Sequence, residues 1–474
     1  MERKSPCIAM IPAPGFSHLL PLIEFSKRLI FRQPHFHFIF FIPTLGPPSP
    51  TTISILESLP PQIDFTILPQ INLEDLKDED PATQVYNTVT LSLSSLRHSL
   101  TSFSSPTHHL VATVVDFFSM DAIDIAKELK LKSYLLFPSA TTSLSLCLHF
   151  PELDEDHEMF PAGFRELSQP LKLPGCISFQ GKDLPDPFQE RSSGGYKTIL
   201  HACKKLLLPD GILVNSFIDL EREVTIALQE SYNHPLVYHV GPIIQVRSIS
   251  INESNLECLT WLGNQPRNSV LYVSFGSGGT LSQEQLDELA FGLQMSGHKF
   301  LWVLRAPSGV ANSAYLSAQK EDPLDFLPEG FLERTRGQGF VVPSWAPQVE
   351  VLKHESTGGF LTHCGWNSTL EAIVHGKPMI VWPLFAEQKM NAVMLTEQFK
   401  VAVRPKGDEN KNGTVMRDEV DRVVKILMEG DEGRELQRKI QVFKDAAAKA
   451  LSEDGSSTRT MSILAQEWTN LSSK

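Results

Sequence analysis

Residues 345–388 read WAPQVEVLKHESTGGFLTHCGWNSTLEAIVHGKPMIVWPLFAEQ. Within this stretch the apolar runs GGFLTHCG and KPMIVWPL enclose a helical pattern, WNSTLEAI. Short, nearly all-apolar strands separated by helices are typical of a parallel sheet that helices cover on both faces. The stretch also contains histidines, tryptophans, an Asn-Ser-Thr run and a closing Glu-Gln pair, which core packing alone does not require. It therefore predicts a parallel α/β domain that carries a polar site.

The same alternation of apolar strands and amphipathic helices runs through the rest of the chain. Strands are predicted at CIAMIPA, HFHFIFFIP, IDFTILP, LVATVVDFF, SYLLFPS and GILVNSF in the first half, and at SVLYVSFGS, KFLWVLR and GFVVPSW in the second. Between the halves the pattern stops at Gly241-Pro242, and a polar stretch follows. We predict two doubly wound α/β domains, 1–245 and 256–455, which face each other across a cleft. A linker is expected at 246–255, and a last helix at 456–474 is expected to pack back on the first domain.

Length, charge and cysteine content limit the class of protein. At 474 residues the chain is too long for a single hydrophobic core. A formal net charge of −13 argues against a protein that binds nucleic acid. The 6 cysteines are scattered without a C-x-x-C pair, which indicates reduced thiols and neither a disulfide framework nor a zinc site. The sequence shows neither a signal peptide nor a membrane span, and we expect a cytoplasmic monomer.

Two loops at the carboxyl ends of predicted strands carry candidate catalytic residues, because ligands bind at that edge of an open α/β sheet. His18 follows the first strand at the start of a helix, whose dipole disfavours the protonated imidazole. Asp116 ends the strand LVATVVD, where burial of an unpaired carboxylate would be costly. If the two strands are neighbours, Asp116 reaches a ring nitrogen of His18 and orients it as a base. The residues alone also allow a surface or capping histidine and an aspartate that only caps its loop.

A third loop, SVLYVSFGSGGTLSQEQ, places Ser277 and the glycines beside it between a strand and a helix that Ser282 is expected to cap. Backbone N–H groups in such a turn can bind phosphate. The loop lacks the Lys-Ser/Thr of a P-loop, the third glycine of a dinucleotide fingerprint and the G-x-S-x-G of a nucleophile elbow. On its own it is either a phosphate site or a plain tight turn.

The order of residues from Trp345 to Gln388 resembles the 44-residue signature box of the plant UDP-glycosyltransferases of secondary metabolism. WAPQ opens the box, HCGWNSTLE occupies its middle and EQ closes it. YVSFGS, FLWV, GFLERT and MNAVMLTEQ extend the similarity over essentially the whole chain, toward the branch with hydroquinone glucosyltransferase and bifunctional O- and N-glucosyltransferases. The resemblance implies the GT-B fold of two Rossmann-like domains, the first binding an acceptor and the second a UDP-sugar.

The resemblance also implies a donor site. Contacts to uracil and ribose are implied for four residues: Trp345, Ala346, Gln348 and Glu371. Contacts to the diphosphate are implied for another four: Ser277, His363, Asn367 and Ser368. Contacts to the sugar hydroxyls are implied for three: Trp366, Glu387 and Gln388. A closing glutamine points to UDP-glucose, and its amide can both donate and accept hydrogen bonds. A helix N-terminus and a histidine take up the leaving-group charge, so the resemblance implies no metal and no cofactor besides the donor substrate.

His18 and Asp116 match the positions of a catalytic histidine and aspartate in the same family. The implied reaction is an inverting displacement in which His18 takes the proton of a small phenol, and anilines are a possible second acceptor class. Acceptor contacts are proposed for Ser17, Phe118, His149, Phe188 and Phe385. Ser17 stands where the family often has glycine, which narrows the space near the acceptor.

Other functions share parts of this pattern. A UDP-sugar-binding protein without catalysis would keep the box, but it would not need both His18 and Asp116. A transferase for flavonoids, a nucleotide-sugar epimerase or a lipid-acceptor transferase would have the same fold, and the complete plant-type box argues against the last two. A serine hydrolase built on Ser17 and His18 is disfavoured, because adjacent residues cannot form the nucleophile–base pair. The expected binding partners are a UDP-sugar and a small phenolic acceptor.

Overall fold

The chain forms two compact units, Met1–Ile244 together with Lys449–Lys474, and Gln245–Ala448. The computed structural model describes residues 4–105, 107–156, 163–165, 167–231, 233–246, 253–308 and 322–472. Of the linker predicted at 246–255, residues 247–252 lie outside the described residues. The chain returns from the second unit to the first at Lys449, inside the helix Asp431–Leu451. The sequence analysis instead predicted that the second domain ends at 455.

The first unit is built on a parallel sheet with a Rossmann-like strand order. Its strands are β1 Ser5–Ile11, β2 His37–Ile42, β3 Ile63–Ile67, β4 His108–Asp116, β5 Lys132–Phe137, β8 Gly211–Val214 and β9 Leu236–His239. A separate antiparallel ribbon consists of β6 Leu171–Lys172 and β7 Ser178–Phe179. The strand order of the sheet is β3-β2-β1-β4-β5-β8-β9. The chain reverses its direction of growth between β1 and β4, and ligands bind at the carboxyl ends of such a pair.

The second unit repeats this plan in six described strands. They are β10 Val270–Ser274, β11 Lys299–Leu304, β12 Gly339–Pro343, β13 Thr357–Thr362, β14 Met379–Val381 and β15 Ala402–Val403. All pair in parallel in the order β12-β11-β10-β13-β14-β15. The switch of direction therefore lies between β10 and β13. The sequence predicted every strand of both sheets except the edge strands β9 and β15, which have only 4 and 2 residues.

Helices connect the strands in both units. Those of the first unit are Phe16–Arg32, Pro50–Glu57, Pro81–Ser102, Ala122–Glu128, Thr141–Glu155, Gly194–Lys204, Arg222–Glu230 and Ser456–Leu471. Those of the second unit are Glu253–Gly263, Gln283–Ser296, Phe331–Arg334, Gln348–Lys353, Trp366–His375, Gln388–Val393, Arg417–Glu429 and Asp431–Leu451, with a π-helical turn at Met394–Gln398. Ser282 caps Gln283–Ser296 by accepting from the N–H of Gln285. Among the described helices, none has the length and apolar character needed to cross a membrane.

The last helix, Ser456–Leu471, is part of the core of the first unit. Its Trp468 is buried against the rings of Tyr134, Phe25 and Phe36, at centroid distances of 5.4, 6.3 and 6.3 Å. The hydroxyl of Tyr134 donates to Glu467 of the same helix at 2.8 Å. Aromatic packing of this kind fixes the chain terminus to the sheet of the first unit.

Candidate active site

His18 and Asp116 meet at the carboxyl edge of the first sheet, because β1 and β4 are paired neighbours. His18 lies in the first turn of Phe16–Arg32, which begins after Gly15 at a φ of +110°. Asp116 is the last residue of β4, and its Oδ2 lies 3.0 Å from Nδ1 of His18. An ionised carboxylate only accepts hydrogen bonds, so Nδ1 carries the hydrogen and Nε2 holds the basic lone pair. The contact that the sequence predicted is present.

The carboxylate of Asp116 also caps its own loop. Its Oδ1 accepts from the N–H of Phe118 at 2.9 Å, at the start of a short 3₁₀ turn, Phe117–Ser119. The side chain is 2% exposed, whereas that of His18 is 16% exposed. Two hydrogen bonds satisfy the buried carboxylate and fix its orientation, so the imidazole is held in one tautomer with an accessible edge.

Phe118 is the one proposed acceptor residue whose contact with the His18 ring the structure describes. The ring of Phe118 lies 5.4 Å from the imidazole at an angle of 90°. Behind it, Phe118 packs on a small buried cluster of Ala13, Val85 and Val89. The sequence analysis missed the two valines, because nothing in the pattern of Pro81–Ser102 distinguishes them from other core residues.

The other proposed acceptor residues have different surroundings. Ser17 lies in the same helical turn as His18. The Nδ1 of His149 lies 2.7 Å from the carbonyl oxygen of Ser145, one turn earlier in its own helix. Phe188 is 3% exposed and packs 4.2 Å from the ring of Phe150, as a core side chain does. Their acceptor roles stay predictions.

The second unit brings the loop of Ser277 and the loop of His363 together, because β10 and β13 are neighbours. The imidazole of His363 occupies the space between two glycines. A Cβ built on Gly276 would lie 2.5 Å from Cε1 of the ring, and one on Gly365 would lie 2.5 Å from Nε2. Neither position accommodates a side chain while the ring stays in place. The sequence analysis named Ser277 and His363 but did not recognise that Gly276 makes room for the ring.

Burial and a nearby positive charge keep His363 neutral. Burial, together with the charge of Arg305, lowers the pKa of His363 to about 4. Its Nδ1 is buried and has no hydrogen-bond partner in the described part of the chain. The helix Trp366–His375 starts beside it with Gly365 as its cap, a residue without a side-chain oxygen for the first N–H groups. A neutral imidazole and a helix N-terminus together form a site suited to phosphate oxygens.

Three of the residues predicted to bind uracil and ribose follow β12: Trp345, Ala346 and Gln348. The fourth, Glu371, lies in the helix Trp366–His375. Trp345 is 42% exposed, so its ring is available for stacking on a planar base. The Nε2 of Gln348 donates to Oε2 of Glu371 at 2.7 Å and to Oγ of Ser368 at 3.0 Å. Burial raises the pKa of Glu371 to about 7, with a smaller contribution from the charge of Glu350. The structure thus holds the buried carboxylate of Glu371 in a hydrogen bond to Gln348, three residues after the exposed indole of Trp345.

In the closing pair of the stretch, Glu387 and Gln388, the backbone orients the side chain of Gln388. Oε1 of Gln388 accepts from the N–H groups of Leu384 and Phe385 at 2.9 and 3.1 Å. Glu387 precedes the helix Gln388–Val393, and Nδ2 of Asn391 approaches its Oε1 at 3.5 Å. The amide of Gln388 therefore offers a ligand only its N–H donors, and the expectation that it would both donate and accept is wrong in this conformation. The reason is that backbone N–H groups of the loop between β14 and the helix Gln388–Val393 already donate to the side-chain oxygen of Gln388.

Two of the remaining predicted residues of the second unit are buried, and Asn367 is partly buried. Ala346 and Trp366 are 4% and 3% exposed, and Asn367 follows Trp366 in the first turn of its helix. No three histidine, cysteine or acidic side chains within the described ranges are arranged to hold a metal ion. The 6 cysteines, all of them described, form no disulfide.

The raised pKa of Glu371 predicts that nucleotide binding releases a proton near neutral pH. If Glu371 binds a ribose, as the resemblance implies, the sugar hydroxyls donate to the charged carboxylate, so binding lowers a pKa that is about 7 in the free protein. We therefore expect UDP affinity to rise as the pH increases through 7. Calorimetry of UDP binding in buffers of different ionisation enthalpy measures the number of protons released. Glu371→Gln should remove this proton release, whereas any proton taken up by His363 is common to the wild type and the variant. Equal numbers of released protons in the two proteins would contradict the assignment of the proton to Glu371.

Comparison with known proteins covers both units. The family model described as "UDP-glucoronosyl and UDP-glucosyl transferase" matches residues 224–430. UDP-glycosyltransferase 72B1 of Arabidopsis thaliana is 49% identical, over 98% of this chain and 97% of its own. Hydroquinone glucosyltransferase of Rauvolfia serpentina is 49% identical, over 98% of each chain. A solved complex with 3,4-dichloroaniline, of a UDP-glucosyltransferase from Polygonum tinctorium capable of glucosylating indoxyl, gives a TM-score of 0.90 at 47% identity, covering 99% of each chain.

These similarities confirm the GT-B class that the signature box predicted, with two Rossmann-like domains. They also confirm that the protein is a glycosyltransferase that uses a UDP-sugar. The chain belongs to the plant family 1 UDP-glycosyltransferases, in the branch that includes hydroquinone glucosyltransferase.

Proposed function

We propose that this enzyme transfers glucose from UDP-glucose to the hydroxyl group of a small phenol and forms the β-glucoside with inversion. The observation that carries the proposal is the pair of His18 and Asp116, joined at 3.0 Å in the crevice between β1 and β4. A protein that only bound the nucleotide would have no use for a partly exposed base oriented by a buried acid. A positioned base of this kind contributes roughly 10²–10⁴-fold to a reaction rate.

In the proposed mechanism, Nε2 of His18 takes the proton of the phenolic hydroxyl as the oxygen attacks the anomeric carbon. The bond from that carbon to the β-phosphate oxygen breaks, and UDP leaves with the electron pair. Asp116 stabilises the imidazolium that forms and keeps the hydrogen of the resting state on Nδ1. A displacement in which the acceptor oxygen enters opposite the leaving group inverts the carbon, so an α-linked glucose gives a β-glucoside.

The donor is proposed to bind to the second unit, from the exposed Trp345 to the closing Gln388. Trp345 stacks on uracil and Glu371 accepts from the ribose, while His363 and the start of Trp366–His375 bind the diphosphate. The side-chain N–H groups of Gln388 donate to the sugar hydroxyls, while its side-chain oxygen accepts from two backbone N–H groups. Because Gln388 is fixed in this way, its donors can distinguish sugars that differ in the direction of one hydroxyl, and we infer glucose.

The proposed acceptors are small aromatic rings. Phe118 stands edge-on to His18 and presents an apolar surface beside the base. The relatives named for hydroquinone and crystallised with 3,4-dichloroaniline act on or bind ligands of this size. Anilines are the second proposed class, because an aniline nitrogen is nucleophilic before it loses a proton and needs positioning more than a base.

A product assay tests the proposed donor and acceptor together. The enzyme is incubated with equal concentrations of UDP-glucose and UDP-galactose and a panel of hydroquinone, chlorophenol, chloroaniline and a flavonoid, and the products are read by mass spectrometry. We expect β-glucosides of the phenols as the main products and a smaller yield from the aniline. A galactoside as the main product would remove the role assigned to Gln388, and a preference for the flavonoid would remove the proposed acceptor class.

A further inference from the structure

Arg305 lies at the carboxyl edge of the second sheet, where neither the signature stretch nor the mechanism above assigns it a role. It directly follows β11, which pairs with β10, so it stands beside the turn that contains Ser277. Its Nε donates to the carbonyl oxygen of Gly276 at 3.2 Å. This bond fixes the glycine that adjoins the imidazole of His363.

The positive charge of Arg305 has no acidic partner among the described residues. Burial lowers the pKa of the guanidinium below its ordinary range, and only the hydroxyl of Tyr272 opposes this shift. A guanidinium has five N–H donors, and the structure records a protein acceptor for one of them. An uncompensated charge in a partly buried position is costly unless a ligand supplies the opposite charge.

Three further features at this place point to an anionic ligand. Nδ1 of His363 is buried without a described partner. The helix Trp366–His375 begins there without a capping side chain. The positive charge of Arg305 also contributes to the lowered pKa of His363, which keeps the imidazole neutral.

We propose that Arg305 is a positioning residue for the donor diphosphate. Arg305 holds the Gly276 turn in its phosphate-binding form and supplies positive charge as UDP leaves. The proposal rests on the proposed placement of the diphosphate beside His363. The proposal predicts that the contribution of Arg305 to binding affinity increases with the number of phosphates on the ligand. Arg305 should contribute nothing to the affinity for the nucleoside.

The test compares the binding of uridine, UMP and UDP to the full-length enzyme and to three variants. Arg305→Met removes the charge and the bond to Gly276 but keeps an apolar stem of similar length, and Arg305→Lys keeps the charge alone. Lys299→Met is the matched control, because Lys299 donates to the carbonyl oxygen of Gly337 at 3.2 Å from the opposite end of the same strand. Thermal unfolding of each variant checks that the fold is kept.

We expect Arg305→Met to leave uridine affinity unchanged and to weaken UDP binding by about tenfold to a hundredfold, the range for loss of a charged hydrogen-bonding group. The loss of UMP affinity in Arg305→Met should lie between the losses for uridine and UDP. Arg305→Lys should lose less UDP affinity than Arg305→Met, and Lys299→Met should bind all three ligands like the wild type. An NMR titration should also show that the pKa of His363 rises in Arg305→Met, because a neighbouring positive charge is gone.

Equal losses for uridine and UDP would mean that Arg305 is merely structural, and unchanged UDP affinity would remove the proposal altogether. His363→Ala in the same series separates this inference from the placement of the diphosphate. If His363→Ala weakens UDP binding and Arg305→Met does not, only the role of Arg305 is wrong. If His363→Ala binds UDP like the wild type, the diphosphate lies elsewhere and both proposals fall.

Discussion

Replacing His18 with alanine is expected to lower the turnover of a phenolic acceptor by roughly 10²–10⁴-fold, the contribution of a positioned base. The unsubstituted phenol is protonated near neutral pH, and in the variant no other group is oriented by Asp116 to take its proton. UDP affinity should be unchanged, because the donor residues belong to the second unit. Initial rates at saturating UDP-glucose, with UDP binding measured by calorimetry, check both parts of the expectation.

A second histidine–aspartate pair in the same unit provides the control. Nε2 of His37 lies 2.8 Å from Oδ2 of Asp64, but His37 begins β2 and therefore lies at the amino edge of the sheet. His37→Ala should leave turnover unchanged. In His18→Ala the loss should shrink for nitrophenols, which are already ionised, and for chloroanilines, which need less help from a base. Equal fractional losses on phenols and anilines would mean that His18 positions the acceptor, and near wild-type rates would refute the dyad.

The pair of His18 and Asp116 shows how far a sequence can predict a site. Two apolar strands with a polar residue after each were recognisable, and carboxyl ends of neighbouring parallel strands must meet at one edge. The only missing fact was that β1 and β4 are neighbours, which the strand order of the sheet supplies. The same rule applies to Arg305, which ends the apolar run KFLWVLR, but a single cation after a strand carries no signal until its partner on the next loop is known.

Side-chain orientation and close packing could not be predicted in this way. Gln388 was expected to donate and accept, and only the folded loop shows that the N–H groups of Leu384 and Phe385 consume its oxygen. Phe118 and Phe188 were both proposed as acceptor residues, yet Phe188 packs in the core and Phe118 packs against the His18 ring. The edge strand β15 has two residues, too few for an apolar pattern to register.

Gly276→Ala is expected to lower kcat/KM for the donor by about 10²–10³-fold, the loss seen when one preorganised donor group leaves its place. The new methyl group would lie 2.5 Å from Cε1 of His363, so the imidazole has to move out of the space between the two turns. The φ of +74° adds backbone strain of roughly 1–2 kcal/mol for a residue with a Cβ. Donor saturation curves and UDP binding measure the loss, and thermal unfolding measures the strain.

Two further variants separate the collision from the strain. Gly297 has a φ of +68° at the end of Gln283–Ser296 and nothing within 4 Å of an added Cβ, so Gly297→Ala carries a comparable backbone strain without a collision. Gly297→Ala should lower the unfolding temperature by the amount that backbone strain alone contributes in Gly276→Ala. It should leave donor binding unchanged. In the double variant Gly276→Ala, His363→Ala the methyl group meets no ring, so its kcat/KM should equal that of His363→Ala alone. If the two losses add instead, the turn binds the donor through its own backbone geometry and the glycine does not act by making room for the histidine.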